Sequence, residues 1–423
     1  MMLTRRTVLK TGLAAAATST LAMPALAKGT KVKIGYVSPQ SGPLSAFSEA
    51  DDYMIKRFLE TATAQGLDVE VVVKDSQSNP NRAAEVAREL IVRDEVNLIC
   101  VASTPETTNP VCTIAESEEI PVISSVAPWQ PWFIGQQGNP NDPGSWQEFD
   151  YVYHFFWGLE DNVSTFINMW DRLDTNKVVG ALWPNDGDGN AWSADVGMPP
   201  AAAAAGYNLI DPGRYQNLTD DFSAQINAFK NGGAEIFTGI PIPPDFTTFW
   251  TQARQQGFTP KVASVAKALL FPESVQQLGD LAHNLSCEVY WTPEFPYASS
   301  LTGESNSDLA AGFEAAAGRQ WTQPVGFTHA LFEVAADAIK RAGDPTDGDD
   351  LAEAIAATNL DTVVGNIAWG KDNLPPFAQK NVAKTPLVGG QWRRQDDGSF
   401  DLIIVENGNA PDIPLGGEIE ALA

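Results

Sequence analysis

The 423-residue chain carries 53 acidic and 27 basic side chains, giving a formal net charge of −26 at pH 7. Such a surface repels nucleic acid and anionic lipid, so we expect neither as a partner. Hydrophobic residues make up 43% of the chain, which excludes a disordered protein. At roughly 150 residues per domain, the length predicts two or three packed units.

The N-terminus has the features of an export signal. Arg5 and Arg6 precede an apolar, alanine-rich stretch over residues 12–26, and the small residues Ala25 and Ala27 follow at its end. The paired arginines resemble a twin-arginine signal, and the apolar stretch is shorter than the ~20 residues that a membrane-spanning helix needs. We predict cleavage after Ala27 and a periplasmic mature chain, which we expect to be a monomer.

Strands and helices alternate over the next hundred residues. The apolar runs predict strands at 32–37, 69–73, 96–101 and 121–124. Asn79 followed by Pro80 predicts the start of a helix, and another helix is predicted over 109–118. This β-α-β order predicts a parallel sheet with helices on both faces.

A second alternating unit follows a long stretch at 128–157 that is rich in Pro, Gly, Asn and Trp and is predicted to be a loop. Strands are predicted at 177–183, 207–210, 235–239, 261–265 and 287–291. Helices are predicted at 201–205, 221–231, 245–256, 308–317, 327–341 and 349–357, before a β-rich region at 363–406. We expect the late helices to return and cover the first sheet.

Motifs for catalysis or metal binding are incomplete. A phosphate-loop-like run at 365–371 is followed by Asp372, where Ser or Thr would hold magnesium. The acidic turn at 186–190 begins like a calcium loop, but Ala191 and Gly197 replace the required glycine and glutamate. The sequence therefore predicts no catalytic residues, no metal and no cofactor.

Three cysteines leave at least one thiol unpaired in an oxidising compartment. Cys100 and Cys112 either form a disulfide or remain buried free thiols.

Several stretches resemble the periplasmic solute-binding proteins of the leucine/isoleucine/valine-binding type, which serve ABC importers. They are SGPL at 41–44, DSQSNP at 75–80, IPVIS at 120–124, DFS at 221–223, QARQQG at 252–257 and VVG at 363–365. These stretches follow the order of the family along most of the chain.

The resemblance implies a type I periplasmic binding fold, with two doubly wound α/β lobes and a ligand cleft between them. Lobe 1 would contain residues 28–155 and 295–365, and lobe 2 residues 156–294 and 366–415. Three crossing segments are expected near 155–159, 291–296 and 364–370. The lobes would close around a small solute, and the closed form would dock onto a membrane permease.

The resemblance also implies ligand contacts by position. An aromatic contact corresponds to Phe47, and a hydroxyl contact corresponds to Thr107, with Thr108 beside it. The segment that grips the amino acid in the family corresponds here to 125–128, where Val126 and Pro128 replace the usual polar groups.

Charged and aromatic residues suggest what the cleft would bind. The acid expected near residue 266 is missing and Lys267 stands there, which favours a small organic anion over a zwitterionic amino acid. Asp188 belongs to the acidic turn opposite. Aromatic walls are expected from Trp129, Trp157 and Trp183.

Two alternatives to anion capture stay open. The chain could bind branched-chain or other amino acids, with Lys267 a solvated surface lysine, or it could be an envelope enzyme on the same scaffold.

Overall fold

The structure, a computed structural model, describes residues 31–422. The predicted export signal at 1–27 lies outside the described residues. The described strands are β1 (Val32–Ser38), β2 (Val69–Asp75), β3 (Leu98–Ala102), β4 (Val122–Ser125), β5 (Val152–Phe155), β6 (Val178–Pro184), β7 (Asn208–Ile210), β8 (Arg214–Tyr215), β9 (Ile236–Gly239), β10 (Val262–Val265), β11 (Ser286–Val289), β12 (Asn359–Thr362), β13 (Gly365–Ala368), β14 (Val382–Ala383), β15 (Val388–Arg394) and β16 (Phe400–Glu406). The α-helices are α1 (Asp51–Ala64), α2 (Pro80–Val92), α3 (Pro105–Ser117), α4 (Trp129–Ile134), α5 (Leu159–Trp170), α6 (Gly187–Trp192), α7 (Met198–Ala204), α8 (Ser223–Asn231), α9 (Pro243–Gln255), α10 (Pro272–Leu278), α11 (Asn306–Ala317), α12 (Pro324–Arg341), α13 (Gly348–Ala356) and α14 (Pro376–Gln379).

The strands form two large sheets, one in each lobe. The first has the order β14-β5-β4-β3-β1-β2 and is parallel throughout. The second has the order β16-β15-β11-β10-β9-β6-β7, with antiparallel pairing only at β15 and β16, and β8 also pairs with β6. The predicted doubly wound α/β fold is confirmed.

Both sheets have the same switch in strand order. In lobe 1 the chain starts at β1 and places β2 on one side and β3 on the other; in lobe 2 it starts at β6 and places β7 and β9 in the same way. Ligands of open α/β sheets bind beyond the carboxyl ends of the strands at such a switch point. The topology therefore predicts a ligand site beyond the carboxyl ends of β1 and β3 in lobe 1 and of β6 and β9 in lobe 2.

Several helices form where the sequence predicts them. The Asn79 side chain accepts hydrogen bonds from the amides of Asn81 and Arg82, so it caps α2 as expected. Helix α12 packs against β3 and β4 and against α1, where Phe332 stacks on Phe58 with 4.4 Å between ring centroids. The late helices therefore do cover the first sheet.

Two elements differ from the sequence prediction. The expected loop at 128–157 contains the short helix α4 and strand β5, whose four residues are all buried. Helix α3 begins at Pro105 rather than at residue 109: Pro105 occupies the first helical position, where a missing amide costs little, and Pro110 lies inside the helix.

The chain passes between the sheets three times. The first passage follows β5 at 156–158, and the second follows β11 at 290–305. The third differs from the expected 364–370: β14 still pairs with β5 of the first sheet, so the chain returns to the second sheet only at 384–387.

Within residues 31–422, no helix combines the length and the apolar character needed to cross a bilayer. All three cysteines lie in this range and are buried free thiols.

Candidate functional site

A small cavity lies between the lobes, beyond the strand ends at both switch points. Phe47 and Thr104 follow β1 and β3 of lobe 1, while Asp188 and Ile240 follow β6 and β9 of lobe 2. The remaining lining residues are Val126, Pro128, Phe156, Trp157, Lys267, Leu270, Glu288 and Tyr290. The cavity is thus built by the strand ends that the topology selects.

A buried ion pair forms the lobe 2 side of the cavity. Lys267 Nζ lies 2.6 Å from Asp188 Oδ2 and 3.6 Å from Asp186 Oδ2, and the side chains of Lys267 and Asp188 are 4% and 2% exposed. Burial lowers the pKa of Lys267, but the charges of Asp186, Asp188 and Glu106 outweigh burial and raise it above its usual value. Lys267 is therefore a buried, charged residue and not a surface lysine.

Carboxyl groups outnumber the single cation here. Burial raises the pKa of Asp188 to about 7, even though the Lys267 charge opposes this shift. Glu288, which accepts a hydrogen bond from the Lys267 amide at 2.9 Å, has its pKa raised to about 8 by burial. At neutral pH Asp188 is therefore partly protonated and Glu288 largely so, and Lys267 Nζ is paired with the Asp188 and Asp186 oxygens.

Several polar atoms around the cavity have no hydrogen-bond partner within the described residues. They are Thr104 Oγ1, Trp157 Nε1, Asp188 Oδ1, Glu288 Oε2, Tyr290 Oη and Lys267 Nζ, which is in ion-pair contact with Asp188 but in no hydrogen bond of good geometry. Buried polar groups in folded proteins are nearly always satisfied, so a cluster of unsatisfied ones indicates a missing hydrogen-bonding partner. The set contains hydroxyl and indole donors as well as carboxylate acceptors.

Two lining residues have a strained backbone. Val126 follows β4 and Lys267 follows β10, and their φ angles are +70° and +65°. A positive φ is unfavourable for a side chain larger than glycine, above all for β-branched valine, and such strain clusters at functional sites. The two strained positions come from opposite lobes.

Aromatic rings form much of the wall. Phe156 packs against Trp157 and Tyr290, with ring centroids 4.7 and 5.2 Å apart. Phe47 of lobe 1 meets Phe271 of lobe 2 edge to face at 4.9 Å. Because this last contact joins the lobes, the structure represents a closed form.

Of the ten residues predicted from the sequence, six line this one cavity: Phe47, Val126, Pro128, Trp157, Asp188 and Lys267. The other four are buried outside the lining. Thr108 donates to the Ser103 carbonyl at 3.0 Å, and Thr107 lies beside it with no hydroxyl partner among the described residues. Trp129 donates to Glu160 Oε1 at 3.2 Å, and Trp183 packs against Trp192.

The sequence interpretation missed Glu288, Tyr290 and Thr104. Glu288 had a detectable signal, because an acid between Cys287 and Val289 in an otherwise apolar strand needs a partner when buried. Thr104 directly precedes the helix whose start was predicted too late, so its position at a strand end was not recognised.

The sequence matches the family described as periplasmic binding protein over residues 31–385. No curated protein sequence matches the chain significantly.

Solved structures share the fold at low sequence identity. A leucine binding protein from Thermotoga maritima has a TM-score of 0.70 and 19% identity, covering 89% of this chain and 99% of its own. A branched-chain amino acid transporter substrate binding protein from Streptococcus pneumoniae, in complex with isoleucine, has a TM-score of 0.70 and 16% identity, covering 89% and 100%. A solute binding protein of an ABC transporter from Rhodopseudomonas palustris, in complex with 3,4-dihydroxy benzoic acid, has a TM-score of 0.70 and 17% identity, covering 91% and 99%.

Proposed function

The chain belongs to the periplasmic binding protein family, and we propose that it captures a small organic solute between its lobes and delivers it to the permease of an ABC importer. The observation that carries this proposal is the cluster of unpartnered buried polar atoms around one aromatic-walled cavity between the lobes. Family and fold are those of transporter substrate-binding proteins and not of enzymes.

The charges of the cavity bear on the class of solute. The hypothesis of an organic anion relied on Lys267 being free to bind it, yet this cation lies 2.6 Å from Asp188. An incoming carboxylate on that side would also face Glu288. The open oxygen Asp188 Oδ1 suits instead a solute that donates a hydrogen bond from nitrogen, while Glu288, whose pKa is raised to about 8, is largely protonated at neutral pH and can donate as well as accept.

We therefore favour a solute that points an ammonium or amide group at lobe 2 and places an apolar body between Phe47, Val126 and Trp157. Amino acids, the alternative left open by the sequence, are the first class to test. Their carboxylate would be received by the donors Thr104 and Tyr290 rather than by a cation.

An aromatic carboxylate is the second candidate. It is supported by the aromatic wall and by the fold neighbour in complex with 3,4-dihydroxy benzoic acid. Such a ligand would have to direct its charge away from Asp188 and Glu288.

A thermal-shift and calorimetric panel separates these candidates. Leucine, isoleucine and phenylalanine are compared with benzylamine, benzamide, benzoate and 3,4-dihydroxybenzoate, so that head groups vary on a common ring. A ligand at 100 times its Kd stabilises the fold by about 2.7 kcal/mol. We expect stabilisation from nitrogen donors and none from benzoate.

The Asp188→Asn variant tests the assigned contact, and Asp337→Asn, which alters a surface ion pair with Arg341, is the matched control. Binding by the two benzoates alone would replace the first candidate by the second. If neither this panel nor a wider set of small solutes binds, the proposal of solute capture fails.

We further propose that the chain acts in the periplasm as a monomer whose closed form docks onto the permease. The support is the predicted twin-arginine signal together with the family. Replacing Arg5 and Arg6 by Lys should leave the precursor in the cytoplasm, as fractionation would show; undisturbed export would contradict this route.

A further inference from the structure

The acidic turn at 186–190 has a structural part beyond its contact with the cavity. The Asp186 side chain caps α6 by accepting from the Gly189 amide at 2.8 Å, and it also accepts from Asn217. Asp188, two residues on, forms the ion pair with Lys267. The turn is therefore rigidly tied to the ligand side of lobe 2. Within residues 31–422, no group of three or more acidic, histidine or cysteine side chains is arranged to hold a metal ion.

The same turn is held by the opposite lobe. Glu106 on α3 of lobe 1 accepts a hydrogen bond from the Gly187 amide, with 2.6 Å between Oε1 and N. Helices α3 and α4 of lobe 1 pack against α6 of lobe 2 around this contact. Since α3 and the turn belong to different sheets, the bond exists only when the lobes are together.

Gly187 is suited to this approach. A Cβ added at this position would lie 2.8 Å from Glu106 Oε1, which is closer than real Cβ contacts. The backbone there is not in the left-handed region, so alanine would be disfavoured by the neighbouring carboxylate and not by its own conformation.

A second charged contact between the lobes is more peripheral. Arg319 of lobe 1 contacts Glu273 of lobe 2 at 2.9 Å at the mouth of the cleft. The Glu273 side chain is 60% exposed, and exposed ion pairs contribute little. Glu106, by contrast, is half-buried and acts directly on the turn that carries Asp188.

We infer that Glu106 is a positioning residue that latches the acidic turn of lobe 2, in which Asp188 is already paired with Lys267, to lobe 1 and so stabilises the closed form. The inference rests on the proposed function, because it assumes that the lobes close and assigns part of the stability of the closed form to the Glu106–Gly187 hydrogen bond. Glu106 does not line the cavity and would raise affinity by stabilising the closed form.

The test measures lobe separation in the ligand-free full chain. Spin labels are attached at Ser45→Cys and Gln277→Cys, two exposed positions on opposite sides of the cleft mouth. The native cysteines are buried and should not react. Electron-electron distance distributions then report the ratio of closed to open protein without any knowledge of the solute.

The Glu106 carboxylate forms a charged hydrogen bond only in the closed form, and such bonds are stronger than neutral ones. We therefore expect Glu106→Ala to lower the ratio of closed to open protein at least about tenfold. Glu106→Gln keeps an acceptor oxygen and should lower it less. Gly187→Ala perturbs the same contact from lobe 2 and should add little to Glu106→Ala. Glu273→Gln is the matched control and should leave the distribution unchanged.

The inference is overturned if Glu106→Ala gives the wild-type distribution, if Glu273→Gln lowers the closed population as much as Glu106→Ala does, or if the wild type has no closed population. Melting curves verify that each variant is folded, and Gly187→Ala decides the matter should Glu106→Ala fail to fold. Because no solute is present, this result stands apart from the binding panel. A latch observed here together with no solute binding in the panel would leave the inference intact and refute the proposed function.

Discussion

Replacing Lys267 by Met should destabilise the fold even without ligand. The substitution leaves Asp188, which is 2% exposed, without its counter-charge and next to Asp186. Removing one member of a buried pair costs about 3–5 kcal/mol. Since burial already raises the pKa of Asp188 to about 7, this carboxyl can take up a proton, and we expect a loss near the low end, about 3 kcal/mol.

The assay is urea unfolding of four proteins: the wild type, Lys267→Met, Asp188→Leu and the double variant. The double variant removes both charges and should recover at least half of the loss, because apolar replacements of a buried pair are often nearly neutral. The Lys267→Met deficit should also grow from pH 6 to pH 8. An acid whose folded pKa is raised loses stability as pH rises, and removing the cation raises that pKa further.

Two results would refute this reasoning. A Lys267→Met cost below about 1 kcal/mol would mean that the pair contributes as little as a solvated one. Losses that simply add in the double variant would mean that the two side chains do not interact.

Glu288→Gln should flatten the pH dependence of stability between pH 6 and pH 8. The pKa of Glu288 is raised to about 8, so the wild-type fold loses up to about 1.4 kcal/mol of stability per pH unit in this range. The side-chain oxygen of the introduced glutamine can still accept the hydrogen bond from the Lys267 backbone amide. Melting curves that remain as steep with pH as those of the wild type would contradict this. Gly326→Ala should destabilise by about 1–3 kcal/mol although alanine favours helices, since its Cβ would lie 2.1 Å from the Trp291 ring. Gly138→Ala, with open space around it, is the control, and equal melting temperatures would disprove the packing argument. All three cysteines should be inert to a thiol reagent in the native protein and react after unfolding; three equivalents released from native protein would contradict their burial.

The fold was largely predictable because its elements carry local signals. The Asn79 and Pro80 pair fixes the start of α2, and short apolar runs between turn residues give the buried parallel strands. Strand β5 was missed because it is only four residues long and lies within a long stretch of turn-forming residues. The third passage between lobes was misplaced because β14 is two residues long, too short for any periodicity.

The site was predictable only in part, for a physical reason. Lys267 lies in the loop after β10, and Asp188 lies in the first turn of α6, which follows β6. Their pairing depends on β9 being the single strand between β10 and β6 in the sheet. No local pattern encodes that strand order. The sequence thus indicated a cation at the site but not its partner, and the head group that we propose for the solute changed from an anion to a hydrogen-bond donor once the partner was known.

The two halves of the cavity differ in what they offer a solute, and this has a consequence for binding. Lobe 2 supplies the ionisable groups Asp188, Lys267 and Glu288, whereas lobe 1 supplies apolar surface and the Thr104 hydroxyl. Asp188, Lys267 and Glu288 contact one another within lobe 2, so their positions do not depend on lobe closure. The solute can therefore first bind to lobe 2 in the open form. Contacts with lobe 1 then form only on closure, and the measured affinity includes the fraction of protein that can close. Substitutions in lobe 2 should therefore change which solute binds, while substitutions at Phe47 or Thr104 should change how tightly every solute is retained; an exchange of solute preference caused by Phe47→Leu would argue against this division.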